Sequence, residues 1–256
     1  MTGFADHFSR DSSSYAKFRP KYPAALFEWL ATLSPRQSVA WDCGTGTGQA
    51  ATMLTRYFAQ VVASDPSRTQ LEAADRTTGV RYFAALGESS ALAPKRVDLV
   101  TVAQALHWMD RERFYRELDR VTAPDGALAI WTYGIFQSSP DIDTIIARFY
   151  RHTVGPYWPA ERVFVESGYR TIEIPIAEVP SPSFSMEGRL TLPQLLGFIR
   201  TWSAVGRFMA ARKIDPVVGL ERELREAWGD PNRTHLLVWP LSVRAGRWCG
   251  SAPVAA

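Results

Sequence analysis

The chain has 256 residues, 46% hydrophobic and 21% charged, enough for a large α/β domain with an appended lobe and too apolar for a disordered protein. Its net charge of +3 comes from scattered Lys and Arg, which argues against a dedicated nucleic-acid or anionic-membrane surface. Two cysteines, Cys43 and Cys249, have neither metal-ligand spacing nor a disulfide framework, so reduced thiols in a cytoplasmic protein are expected.

The N-terminal stretch MTGFADHFSRDSSSY lacks the apolar centre of a signal peptide, and no run of about 18 apolar residues follows. Pro23 suits the first turn of a helix over 23–33. Val39, Ala40 and Trp41 then run into Asp42, followed by glycines at 44, 46 and 48 and a helix from Gln49 to Phe58. This is the strand, glycine turn and helix that open a doubly wound sheet. Strands are predicted next at 61–65, 80–85, 97–102 and 127–133. Helices are predicted from Pro66-Ser67 to about Ala74, and from Asp110, a good N-cap, to about Val121. Pro124-Asp125-Gly126 marks a turn. Alternation of this kind predicts a parallel α/β sheet.

Beyond Ile135 the rhythm changes. Helices are expected at about 141–152, 194–210 and 216–228, and strands at 171–179 and 235–243. A rigid aromatic loop at 155–159 and a loop punctuated by Pro180, Pro182 and Pro193 lie between them. The predicted organisation is a cap (1–36), a nucleotide-binding core (37–134), a substrate lid with the last strands (135–250) and a tail (251–256). Nine tryptophans, several of them late in the chain, point to aromatic packing in the lid.

The glycine pattern separates two ligand classes. A dinucleotide site has G-x-G-x-x-G, whereas the third glycine here comes one residue early. Asp42, at the strand's carboxyl end, is a poor neighbour for a pyrophosphate and a good one for an amino acid ammonium and a sulfonium. That points to S-adenosylmethionine (SAM). Asp65, closing the next strand, is placed to accept both ribose hydroxyls, and the Leu86-Gly87-Glu88-Ser89 loop would lie beside the adenine. As alternatives, Asp65 could serve only as a helix N-terminal acid and Glu88 as a solvated loop acid.

The segments Tyr15, Arg19-Pro20, Tyr22-Pro23, Asp42 to Gly48, Asp65-Pro66-Ser67, Gln104-Ala105-Leu106-His107-Trp108, Arg120-Val121 and Pro124-Asp125-Gly126 together resemble a known family. So do Arg200-Thr201-Trp202-Ser203 and Trp239-Pro240-Leu241. The family is the class I SAM-dependent methyltransferases, in the branch of trans-aconitate methyltransferase (a methyltransferase type 11 domain). The resemblance implies a Rossmann-like seven-stranded sheet with an N-terminal helical cap and a C-terminal helical lid inserted among the last strands. It implies SAM as cofactor, S-adenosylhomocysteine as product and no metal. The cofactor-binding residues would be Tyr15, Arg19, Asp42, Gly44, Thr45, Gly46, Gly48, Asp65, Pro66, Glu88, Ser89, Gln104 and Ala105.

In-line displacement needs donor and acceptor held about 3–3.5 Å apart. A carboxylate acceptor is already ionised at neutral pH, whereas an amine or phenol needs a base, for which His107 is the catalytic candidate. His107 could equally be a structural histidine shaping the pocket. Trp108, Trp131, Tyr133, Arg200 and Trp202 are the substrate-binding candidates, with Tyr157 and Trp158 nearby, and core packing is the alternative for each aromatic. The expected partner is a small molecule, with no nucleic acid and no membrane, and the protein would be a monomer or homodimer. O-methylation of a carboxylate leads. N- or O-methylation of a heterocyclic or phenolic metabolite, a non-catalytic SAM-binding protein and an NAD(P)-dependent oxidoreductase are the alternatives.

Overall fold

The computed structural model describes residues 20–74, 76 and 79–250. Tyr15 and Arg19, assigned above to the cap, lie outside the described residues. Among the described residues the strands are β1 (Val39–Cys43), β2 (Gln60–Asp65), β3 (Val80–Ala84), β4 (Val97–Ala103), β5 (Thr122–Tyr133), β6 (Ile176–Glu178), β7 (Phe184–Leu190) and β8 (His235–Trp248). They form one sheet of order β3-β2-β1-β4-β5-β8-β6. β1 to β5 are mutually parallel, and β8 runs antiparallel to β5 and β6. That path supplies the expected seven strands. β7 is an addition, pairing antiparallel with the first half of β8 from Phe184↔Leu241 to Leu190↔His235. The prolines at 180 and 182 mark the loop before β7 and hide it in the sequence.

The helices are α1 (Ala24–Ala31), α2 (Gln49–Leu54), α3 (Arg68–Glu72), α4 (Arg111–Val121), α5 (Pro140–Arg148), α6 (Arg162–Glu166), α7 (Leu192–Arg200), α8 (Ser203–Arg212) and α9 (Val217–Trp228). None is long and apolar enough to cross a membrane. Both faces of the sheet are covered, as a mostly parallel sheet requires. Side chains alternate along a strand, so Ala40, Leu99, Ala129 and Trp131 join one core while Trp41, Val100 and Ile130 join the other. α4 shows how the second core is closed. Asp110 caps it by accepting from the Arg113 amide at 3.2 Å, and Phe114, Leu118 and Val121 form its buried stripe.

Three local differences from the sequence expectation have plain causes. The Pro124-Asp125-Gly126 turn lies inside β5 rather than before it. It loops out where the β4 register jumps from Val97↔Thr122 to Leu99↔Ala127, with Asp125 at φ 62°. The helix expected at 141–152 ends at Arg148 and continues as a single π turn, Phe149–Thr153. The helix expected at 194–210 is broken. α7 starts at Leu192 on a Thr191/Gln194 capping box, and Trp202, extended at ψ 132°, separates it from α8.

Candidate functional site

The carboxyl ends of β1, β2, β4 and β5 open onto one cavity of about 560 Å³, at the point where strand order reverses between β1 and β4. Open α/β sheets bind ligands at this location. Of the residues singled out in the sequence, Gly44, Thr45, Gly46, Asp65, Pro66, Glu88, Gln104, Ala105, His107, Trp108, Tyr133 and Trp202 line it.

The glycine loop is held from beneath by two carboxylates. Asp42 is fully buried and does not line the cavity. Its Oδ2 accepts from Thr45 Oγ1 at 2.5 Å and from the Ala51 amide at 3.1 Å, and its Oδ1 accepts from Thr101 Oγ1 at 2.8 Å. The expectation of direct ligand contact is therefore replaced by a bracing role: Asp42 ties the loop and α2 to β4. Burial raises its pKa to about 6 despite these donors. Asp65 does face the cavity. Its Oδ2 accepts the Gly46 amide at 2.9 Å and its Oδ1 the Ser67 amide at 2.8 Å, which aligns loop and carboxylate together.

Gly44 sits at φ 69°, and an added Cβ would lie 2.6 Å from Ala105 Cβ. Strand β1's exit and the loop after β4 thus meet across a gap only glycine fits. Gly44→Ala is expected to destabilise the protein by about 2–4 kcal/mol, read from the urea midpoint at constant m-value. A loss under 1 kcal/mol would contradict the crowding. Gly48, at φ 83°, is the N-cap of α2 and lies off the cavity lining. Gln49, the next residue, does line it. Its Nε2 donates to Pro20 O at 2.9 Å, while its buried Oε1 has no hydrogen-bond partner among the described residues. An orphan acceptor beside Asp65 and bare glycine backbone fits a ligand carrying hydroxyl and ammonium donors.

Beyond β4, Gln104 adopts φ 56°. Its Oε1 accepts from Thr132 Oγ1 and, at 3.1 Å, from the Tyr133 amide, and its Nε2 donates to Tyr133 O at 3.0 Å. Gln104 lines the cavity while fastening β4 to β5. Glu88 accepts the Asp110 amide at 2.8 Å, whereas Ser89 turns back on Leu86 and does not line the cavity.

His107 lies in the 3-10 turn Leu106–Trp108, its ring tilted on Trp108 at 4.7 Å and its Nδ1 2.7 Å from Tyr169 Oη. Burial first, and then the charge of Arg162, hold its pKa down to about 3, so the ring is neutral across the physiological range.

The far end of the cavity is built by the late lobe. Phe136, Trp239, Phe198, Trp202, Trp158 and Tyr150 all line it. They form a continuous band: successive ring centroids are 5.5, 5.6, 6.2, 5.8 and 4.9 Å apart. Trp202 reaches this band because the α7–α8 helix breaks at that residue, and Tyr150 because of the π turn. Arg162, at the start of α6, is the cation here. It lies 4.6 Å over the Trp158 ring and donates Nε to Tyr150 Oη at 2.7 Å, while Tyr150 Oη donates to Glu166 at 2.8 Å. Among the described residues Arg162 makes no ion pair, and no hydrogen bond is formed by its two Nη groups.

Two substrate candidates are corrected. Trp131 is fully buried in the core, edge-on to Tyr22 at 5.4 Å and Phe27 at 6.2 Å, because it points to the α1 side of β5. Arg200, ending α7, pairs with Asp215 at 2.9 Å and does not line the cavity. Tyr157 likewise packs on Phe208 and accepts from Arg212 outside the cavity. Arg162 and Tyr150 are the functional candidates that sequence reading missed, since neither lies in a recognisable motif.

A family model described as a methyltransferase domain matches residues 41–130, the strand-and-loop framework just described. A "Putative methyltransferase" of Dictyostelium discoideum is 31% identical over 89% of this chain and 88% of its own. The "Probable S-adenosylmethionine-dependent methyltransferase CRG1" of Saccharomyces cerevisiae is 33% identical over 48% of this chain and 45% of its own. Among solved structures, a "Putative Type II Methyltransferase" from Anaeromyxobacter dehalogenans superposes with a TM-score of 0.84 at 42% identity, covering 90% of this chain and 98% of that one.

Proposed function

Since the chain belongs to the class I SAM-dependent methyltransferases, we propose that it transfers a methyl group to the carboxylate of a small-molecule acid held at the aromatic end of the cavity. The observation that carries this reading is Arg162, a guanidinium in the cavity wall with no ion pair among the described residues. A guanidinium presents paired N–H donors in the plane that a carboxylate matches.

The donor end fits SAM. Asp65 would accept the ribose hydroxyls, Gly44 and Gly46 would allow close backbone approach, and the orphan Oε1 of Gln49 would accept from a ligand donor. Glu88 would border the adenine. Asp42 would act through the loop it braces. When bound, SAM supplies an electrophilic methyl on a sulfonium. The protein's part is to aim the acceptor oxygen at it, exclude water with the aromatic band and keep the carboxylate ionised beside Arg162.

His107 supports this reading through what it cannot do well. A base with a pKa near 3 is poorly matched to removing a proton from an amine or phenol. A carboxylate needs no such help. We therefore expect kcat/KM for acid methylation to be flat from pH 7 to 9, and His107→Asn to lower kcat without adding a pH dependence. A rising limb near pH 7 that the variant abolishes would assign His107 as a base and overturn the carboxylate reading.

A further inference from the structure

Resting on that reading, we infer that the acceptor is an acid with a flat, apolar skeleton, and that such an acid is favoured over polycarboxylates. The inference comes from counting what the cavity offers beyond one anion site. Among the described lining residues the cations are Arg162 and Arg113. Arg113 lies in the first turn of α4 beside Asp110, whose amide donates to Glu88. Next to Arg162 in the chain the lining carries Glu161, whose carboxylate would repel a second acid group, and the aromatic rings offer such a group no cation. An unpaired anion in such a setting loses its hydration without compensation.

The band offers instead a face for an unsaturated or aromatic skeleton. Its rings run from Phe136 through Trp239, Phe198 and Trp202 to Trp158, and Arg162 stands at the Trp158 end. A carboxylate on the guanidinium therefore directs the rest of the acceptor along the rings, where offset or edge contacts favour a planar π system. Tyr150 and Trp158 fix the guanidinium's plane, Tyr150 by accepting from Nε and Trp158 by stacking, so the two Nη groups present one edge.

The test uses the full-length protein with labelled SAM and two probes of one geometry, trans-cinnamate and trans-aconitate. The expected result is a kcat/KM for cinnamate at least tenfold above that for aconitate. Arg162→Gln should raise the cinnamate KM at least tenfold with SAM affinity unchanged. Trp202→Leu should raise the cinnamate KM severalfold. Preferred methylation of aconitate overturns this inference and leaves carboxylate methylation standing. If neither acid is methylated and the label instead enters an amine or a phenol, carboxylate methylation fails and takes this inference with it. Should Arg162→Gln fold poorly, quenching of tryptophan fluorescence by cinnamate in the wild type with S-adenosylhomocysteine decides. Saturable quenching that aconitate does not compete away supports the inference, and its absence overturns it.

Discussion

Asp65→Ala is expected to weaken SAM binding by about 100-fold or more. A hydrogen bond to a charged group is worth about 1.5–3 kcal/mol, and every 1.4 kcal/mol is tenfold in affinity, so two ribose hydroxyls on one carboxylate account for this magnitude. The alanine also releases the Gly46 and Ser67 amides, which the carboxylate now accepts at 2.9 and 2.8 Å, so the loop loses alignment as well. Asp65→Asn keeps one carbonyl acceptor and should fall between wild type and alanine. Isothermal titration calorimetry reads both, with circular dichroism as the check on folding. Wild-type affinity in a folded Asp65→Ala protein would remove Asp65 from the ligand site.

The second large effect is a pH-dependent stability term from Asp42. Its folded pKa is raised from 3.8 to about 6, chiefly by complete burial. Between those values the folded state binds more protons than the unfolded state, so stability falls as pH rises through the window. A shift of about two units corresponds to roughly 3 kcal/mol, fully present below about pH 4 and lost above about pH 6. Asp42→Asn carries no titrating group there. The difference in unfolding free energy between wild type and Asp42→Asn should therefore change by about 2–3 kcal/mol between pH 3.5 and 7.5, in favour of the variant at the higher pH. A difference constant with pH would mean that Asp42 titrates normally in the folded protein.

The two halves of the chain differ in how readily sequence reveals them. From β1 to β5, strands and helices alternate within short spans, and caps and glycines punctuate them locally. Asp65 could be found because it ends a short apolar strand, and Gln104 and His107 because they directly follow another. The late lobe obeys longer-range rules. Trp131 and Trp202 look alike as tryptophans near a predicted pocket, yet the pleat sends the first into the core and a helix break sends the second into the cavity. Arg200 and Arg162 are equally plain arginines on helices. Asp215, distant in sequence, claims the first, and stacking on Trp158 with a bond to Tyr150 from a π turn holds the second at the cavity. β7 escaped notice because it gains its strand character from the long β8 beside it, a context that single-sequence propensity does not carry. Asp42 was found for its position, but its role was reversed by three donors lying behind it rather than in front.

The central claim is that a SAM-derived methyl is placed on an ionised carboxylate. Transfer of a labelled methyl group from SAM to a panel of small acids, amines and phenols, followed by mild alkali, tests it most directly. The label should enter the acids and be released by alkali as an ester methyl, with little transfer to amines or phenols. Alkali-stable label on an amine or phenol, with the acids unlabelled, would contradict it.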